Sequence, residues 1–187
     1  AVLDAALELF GVQGYAHTTI EQLCQASFVS TRSFYDLFGS REGCYQQLID
    51  QVTSEIQDEM LGRFHAMPQD EPSATAELLS GFVATLTADV RRVEVVLGPG
   101  RAITVEAEQL RRTNRLWAAG FVESVWRHFG VEGDHRAIAV GLIGGMYDMV
   151  GVWLLDRSLE GDLKDGSAEL LDSLSRFYSA IRRGLDA

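Results

Sequence analysis

Proline is scarce in this chain, with three residues in 187, so little stands in the way of long uninterrupted helices. Pro68 and Pro72 fall close together and Pro99 lies between Gly98 and Gly100, which marks a loop at 68–72 and a break at 97–100. Runs of alternating apolar and polar residues are missing too. Their absence argues against a sheet-based domain, and 3.6-residue periodicity dominates outside the turns. Cysteine is rarer still. Cys24 and Cys44 sit at apolar-periodic positions without the spacing of a zinc site, so they read as two buried thiols in a reducing cytoplasm. His17, His65, His128 and His135 are scattered, and the pair at 128 and 135 has no evident third ligand; no metal or cofactor is expected. No side chains suggest a nucleophile with its base and orienter. Gly98-Pro99-Gly100 neither follows a strand nor contains the lysine of a phosphate-cradling loop. These absences argue against an enzyme. There is no repeat, no low-complexity tract, and no basic segment leading into an apolar one that would mark a secretory signal.

What is present is concentrated in residues 18–45, TTIEQLCQASFVSTRSFYDLFGSREGCY. Thr18 opens T-x-x-E with Glu21, a capping-box pattern, and Ile20, Leu23 and Cys24 then share a face of a short helix ending near Ala26. Ser27-Phe28-Val29 turns the chain, and Ser30 is placed to cap a second helix reaching Phe38. Phe34, Leu37 and Phe38 are expected to pack inward, leaving Thr31, Arg32 and Ser33 exposed in the first turn. Short polar side chains and one arginine at the N-terminal end of a helix can reach base edges in the major groove. The pattern is a helix-turn-helix.

Residues 1–48 resemble the DNA-binding domain of the tetracycline-repressor (TetR) family of transcriptional regulators. The resemblance is carried by Ala5-Ala6, Leu9-Phe10, Gly14-Tyr15, Thr18-Thr19-Ile20, Ala26, Val29-Ser30, Phe34-Tyr35, Phe38, Ser40-Arg41-Glu42 and Tyr45. Cys24, Ser27-Phe28, Phe34 and Arg41 depart from the commoner residues. The most consequential departure is Phe28, where a turn glycine is usual and a left-handed backbone is often required. The resemblance implies an all-α chain with a three-helix helix-turn-helix domain at 1–45 and a larger helical ligand-binding and dimerisation domain at 46–187. It also nominates the residues that touch double-stranded DNA: His17, Thr18, Thr19, Ser30, Thr31, Arg32, Ser33, Tyr35 and Arg41. Ser30 to Ser33 would lie at or near the bases, with Arg32 able to fork onto a guanine or hold a phosphate. Core packing is an equal alternative for Tyr35.

Charge runs against this reading. Lys and Arg number 16 against 27 Asp and Glu, a net −11, and residues 1–45 carry Asp4, Glu8, Glu21, Asp36 and Glu42 against Arg32 and Arg41. Counterion release rewards a basic footprint, so the expectation is weak non-specific DNA binding, with affinity resting on local placement of Arg32, Arg41, helix N-termini and hydroxyls. A basic stretch ahead of the first residue is usual in the family.

Beyond the motif the spacing predicts helices at about 42–65, 74–91, 102–129, 135–157 and 167–184, with Ser73 or Thr75 capping the second. Residues 137–155, AIAVGLIGGMYDMVGVWLL, approach the length of a membrane span. Asp148 at mid-segment and the lack of a flanking basic cluster favour a helix buried in a globular protein, so no membrane is expected. In the family the last two helices pair across a two-fold axis, which implies a homodimer with Gly141, Gly144, Gly145, Leu170, Leu174 and Phe177 at the interface. A dimer would read a palindrome with half-sites roughly 34–36 Å apart. Phe82, Leu86, Asn114, Trp117, Phe121, Met146 and Tyr147 could line a mostly apolar pocket for a small lipophilic or aromatic effector. Arg91, Arg92, Arg101, Arg111, Arg112 and Arg115 read as a solvated face. The expected function is a ligand-released repressor. The alternative is a helical small-molecule-binding protein or enzyme whose helix-turn-helix is a remnant.

Overall fold

The computed structural model describes residues 1–97, 105–160 and 166–185, with the side chains of 157–160 outside that description. The breaks expected at Gly98-Pro99-Gly100 and across 161–165, together with Arg101, lie outside the described residues. Those residues form nine α-helices and no strand: α1 Val2–Gln13, α2 Ile20–Ser27, α3 Thr31–Phe38, α4 Arg41–Ala66, α5 Glu71–Ala88, α6 Val90–Val96, α7 Val105–His128, α8 Arg136–Glu160 and α9 Ser167–Arg183. A 3-10 turn at Tyr15–His17 joins α1 to α2.

Two helix starts differ from expectation for identifiable reasons. The capping box at α2 is one residue later than the T-x-x-E pattern suggests. Thr19, not Thr18, accepts from the Gln22 amide at 3.2 Å, and Gln22 Oε1 accepts from the Thr19 amide at 2.8 Å. Thr18 is fully enclosed, its hydroxyl donating to the Gly14 carbonyl at 2.9 Å, so it is not available as a cap. At α5, Asp70 does the capping expected of Ser73 or Thr75, accepting from the Ser73 amide at 2.9 Å. That bond holds the Asp70 carboxyl below its usual range. The helix expected at 74–91 is two helices. Asp89 adopts an extended backbone, φ −148° and ψ 98°, and its carboxylate caps α6 by accepting from the Arg91 amide. The Arg91 side chain grips the same carboxylate at 2.7 and 2.8 Å and holds its pKa down.

The chain divides into two compact units, and the division is not the linear one drawn at residue 45. The first comprises Ala1–Glu55 and Asp89–Arg111, the second Ile56–Ala88 and Arg112–Ala187. Thus α6 belongs with the helix-turn-helix, and α4 and α7 each run from one unit into the other. In the first unit α1 packs on α2 and α6. Gly11 permits the close approach of α6, since a methyl there would fall 2.5 Å from Arg91 Cβ. Arg91 also pairs with Glu8, and Arg92 with Glu55. Arg111, expected on a solvated face, is buried: its guanidinium donates to Tyr45 Oη at 3.3 Å and to the Val95 carbonyl at 3.2 Å.

In the second unit α9 packs against α5 and α8, with Leu170, Leu174 and Tyr178 buried along one stripe. Arg182 ties α9 to Glu71 at the start of α5 at 2.6 Å. By length and composition α8 is apolar enough to cross a membrane. One face is enclosed, through Ala139, Leu142, Met146, Val150 and Leu154, and the other exposes Ile138, Val140, Asp148, Val152 and Leu155. The expectation of a fully buried central helix therefore holds for half its circumference.

Candidate nucleic-acid interface and interior cavity

The helix-turn-helix is organised from a few local bonds. The amide of Val29 reaches back to the Cys24 carbonyl at 3.1 Å, closing α2 in a Schellman-like turn. That turn requires a left-handed residue, and Phe28 supplies it at φ 57° and ψ 34° with its ring 96% exposed. The strain anticipated for the missing glycine is therefore present, and no packing compensates it. α3 then starts as expected: Ser30 Oγ accepts from the Ser33 amide at 3.0 Å. Phe34 is completely enclosed and stacks near Phe38, with ring centroids 5.1 Å apart. Leu37, expected inward, is 60% exposed, because an eight-residue helix turns this position away from the face that Phe34 buries.

The exposed side of α3 carries Thr31, Arg32, Ser33, Tyr35, Asp36 and Leu37, preceded by Ser30. Arg32 extends into solvent with Asp36 4.0 Å away, one helical turn on. Tyr35 is placed between the two readings given for it. Its ring packs edge-on against Phe34 at 6.1 Å, yet the side is half exposed. Thr19 and His17 are exposed beside the turn, His17 Nδ1 lying 3.1 Å from the Gln13 carbonyl. Two nominated contacts are otherwise engaged. Thr18 is enclosed, as described. Arg41 donates to the Thr18 carbonyl at 2.6 Å and lies 4.3 Å above the Tyr15 ring, a cation–π arrangement. That ring belongs to a cluster with Phe10 and Tyr45, at centroid separations of 5.1–5.5 Å. Arg41 thus braces the start of α4 against the turn before α2. Cys24 and Cys44 are both buried. Burial, with the Cys24 thiol nearby, pushes the Cys44 thiol up to about 12, which leaves it protonated and inert.

The second unit holds a partly open cavity of about 90 Å³. Helices α4, α5, α7, α8 and α9 all contribute, and the lining includes Phe82, Trp117, Phe121, Met146 and Tyr147 among the residues expected there. Leu86 and Asn114 do not line it; both are buried elsewhere. Residues missed from sequence include Ile56, Met60, Thr75, Leu78 and Tyr178. The i, i+4 pairs Ile56–Met60 and Leu78–Phe82 were a signal that could have placed α4 and α5 on this wall. Trp126 Nε1 donates to Tyr178 Oη at 2.9 Å, and burial pushes the Tyr147 hydroxyl up to about 12. Among the described residues no three His, Cys, Asp or Glu side chains gather as a metal site.

Of the residues expected at a dimer interface, Leu170 and Leu174 are enclosed within their own unit; such atoms have no surface left for a partner. Gly145 serves an internal contact, since a methyl there would fall 2.8 Å from Phe177 Cζ. Gly141 and Gly144 meet nothing within 4 Å.

Residues 2–48 match the family model described as bacterial regulatory proteins, tetR family. That match covers the first quarter of the chain, α1 to the start of α4, and so the helix-turn-helix. Over 80 residues it is 29% identical to the HTH-type transcriptional regulator BetI of Escherichia coli (strain K12 / DH10B), which covers 43% of this chain. The match spans about two fifths, 41%, of that relative's length. Among solved structures, the transcriptional regulator FadR from Bacillus subtilis in complex with stearoyl-CoA aligns with a TM-score of 0.73 at 19% identity, over 93% of this chain and 96% of that one. A TetR-like transcriptional regulator from Rhodococcus sp. RHA1 aligns at 0.68 with 20% identity, over 96% and 93%. At these identities the structural likeness concerns the fold, and it extends well beyond the helix-turn-helix.

Proposed function

We propose that this chain is a cytoplasmic, sequence-specific DNA-binding regulator of the TetR family. It acts as a homodimeric repressor that leaves a palindromic operator when a small lipophilic or aromatic effector enters the second unit. The observation that carries the reading is the exposed first turn of α3, where Thr31, Arg32 and Ser33 stand clear of the core behind the Ser30 cap. Such a turn is suited to base edges in the major groove. Arg32 is the base-reading residue, and Ser30, Tyr35, Thr19 and His17 hold the backbone. Thr18 and Arg41 support the turn from within. The local acidity makes non-specific binding weak, and with few cations to release counterions its dependence on salt is shallow. The exposed apolar face of α8, with Gly141 and Gly144 free of neighbours, supports pairing of two subunits there.

An effector shifts the equilibrium only by its preference for the arrangement that does not bind DNA, and DNA weakens the effector by the same factor. The Bacillus subtilis neighbour holds stearoyl-CoA, so a ligand with a long apolar chain is a further candidate. A cavity of about 90 Å³ favours a smaller one.

The test is selection of bound sequences from a random duplex library at low salt. Enrichment of a palindrome that disappears with Arg32→Ala is the expected result. No enrichment from any pool, with the chain folded, would sink the DNA-binding reading.

A further inference from the structure

The cavity of the second unit has a chemical character more specific than apolar. Fifteen side chains line it, and none of them ionises near neutral pH. Charged groups act on the lining from outside it: Arg115 on Tyr147 from an exposed position, and Glu71 and Arg182, which pair with each other, on Tyr178. An anionic group inside would therefore exchange water for a wall that carries no charged side chain, with Arg182 already neutralised by Glu71, which is unfavourable. The lining side chains able to hydrogen-bond are the hydroxyls of Thr75, Tyr147 and Tyr178 and the indole of Trp117. Tyr178 already accepts from Trp126 at 2.9 Å and is hydrogen-bonded with Thr75. Tyr147 has no hydrogen-bond partner among the described residues. Its hydroxyl is free to donate to a ligand. Trp117 and Phe121 form a flat aromatic surface beside it, their rings 5.6 Å apart and inclined by 17°.

We propose that this cavity takes a neutral, ring-bearing ligand with a single hydrogen-bond acceptor, which receives the Tyr147 hydroxyl proton in a hydrogen bond. The proposal rests on the ligand reading above and specifies its chemistry. An apolar ligand that displaced water from Tyr147 without offering an acceptor would leave a buried donor unmet. A carboxylate would offer an acceptor and suffer the desolvation. Size points the same way. At about 90 Å³ the cavity is smaller than the roughly 150 Å³ apolar cavity that admits benzene. One ring is therefore the size that enters with least rearrangement, and the flexible side chains of Met60 and Met146 can supply the remaining space.

Three compounds of matched shape separate the contributions: acetophenone, a neutral acceptor; ethylbenzene, with no acceptor; and benzoate, an anion. Each is titrated calorimetrically into the full chain and into Tyr147→Phe. Acetophenone is expected to bind best, with a roughly five- to tenfold loss in Tyr147→Phe, as for one hydrogen bond. Ethylbenzene binding is expected to persist in the variant, which also reports that the variant is folded. Benzoate binding as tightly as acetophenone, or acetophenone binding equally to both proteins, would overturn the proposal. Binding of none of the three overturns it together with the view that the cavity is a ligand site. Binding in the expected order without any effect on operator affinity leaves this chemistry standing and removes ligand release from the proposed function.

Discussion

The first unit is fastened by directed polar bonds, and the second mainly by apolar surface. Around the helix-turn-helix, Arg91 joins α6 to α1 through Glu8, Arg92 pairs with Glu55, Arg111 fills the valences of Tyr45 and Val95, and Arg41 ties the chain at Thr18. In the second unit Met60, Met67, Ala74, Leu78 and Val125 form a core flanked by Phe64, Phe82, Trp117, Phe121 and Phe129. The difference suits the two tasks proposed above. A surface that must meet DNA in one geometry benefits from bonds that fix angles, whereas hydrocarbon contacts are non-directional and can close around a guest. The price is tolerance: the polar unit can be broken at single atoms, and the apolar unit chiefly by changing volume.

The largest effect expected is at the one large ring buried in α3. Phe34→Ala should cost about 3–5 kcal/mol, because its ring is wholly enclosed, and urea denaturation followed by circular dichroism should register it. A cost under about 1 kcal/mol would mean that this core can collapse around the gap, and the contrast between the units would weaken.

Next come two glycines on one helix. Gly145→Ala forces a methyl against Phe177 and should destabilise by about 1–3 kcal/mol through overpacking. Gly141→Ala meets nothing within 4 Å and should stabilise the isolated subunit by about 0.5–1 kcal/mol through helix propensity. If α8 is the dimer face, the same Gly141→Ala variant should nevertheless dissociate more readily in analytical ultracentrifugation. Equal behaviour of the two variants would show that the α8–α9 approach is loose.

Phe28→Gly should stabilise the first unit by about 0.5–1 kcal/mol. It removes left-handed strain and loses almost no packing, offset in part by the greater freedom of glycine in the unfolded chain. A lowered denaturation midpoint would mean that the exposed ring has a partner within the chain.

An effect of similar size is electrostatic and depends on pH. Asp89→Ala removes the cap of α6 and its bonds with Arg91, and should cost about 1 kcal/mol at neutral pH. The folded pKa of Asp89 lies below its ordinary value. Its stabilisation is therefore complete above the ordinary carboxylate range and is lost as pH falls through the folded value. The wild type and the variant should accordingly converge in stability in acid. A difference that persists below about pH 3 would assign the effect to helix geometry instead of charge.

Much of the first unit could be read directly from residue order, because its decisive interactions are local. Ser30 capping the helix that ends at Phe38 involves neighbours three residues apart, and the strain at Phe28 follows from a turn of fixed geometry. Even here the reading slipped by one residue at Thr18 and Thr19. Both threonines suit a cap, and only burial of Thr18 against Gly14 separates them. Arg41 looked like a phosphate ligand until its engagement with Thr18 and Tyr15, 23 and 26 residues earlier in the numbering, could be seen.

The second unit was legible as helices and only in part as a site. Aromatic residues at helical spacing mark a buried face without saying whether that face meets a neighbour or a void. Phe82 and Leu86 lie one turn apart on α5, yet the cavity takes the first and the core the second. Likewise Leu170 and Leu174 carry the same stripe as Phe177, and burial within the subunit uses up both leucines. The sequence by itself determined the helical class, the helix-turn-helix and its exposed polar turn, because periodicity, caps and turns act over a few residues. Only the tertiary structure decided that α6 joins the first unit, that Arg41 and Arg111 are braces, and which side chains surround the cavity. Those outcomes depend on contacts between residues far apart in the chain, where packing volume selects among faces that local pattern leaves equivalent.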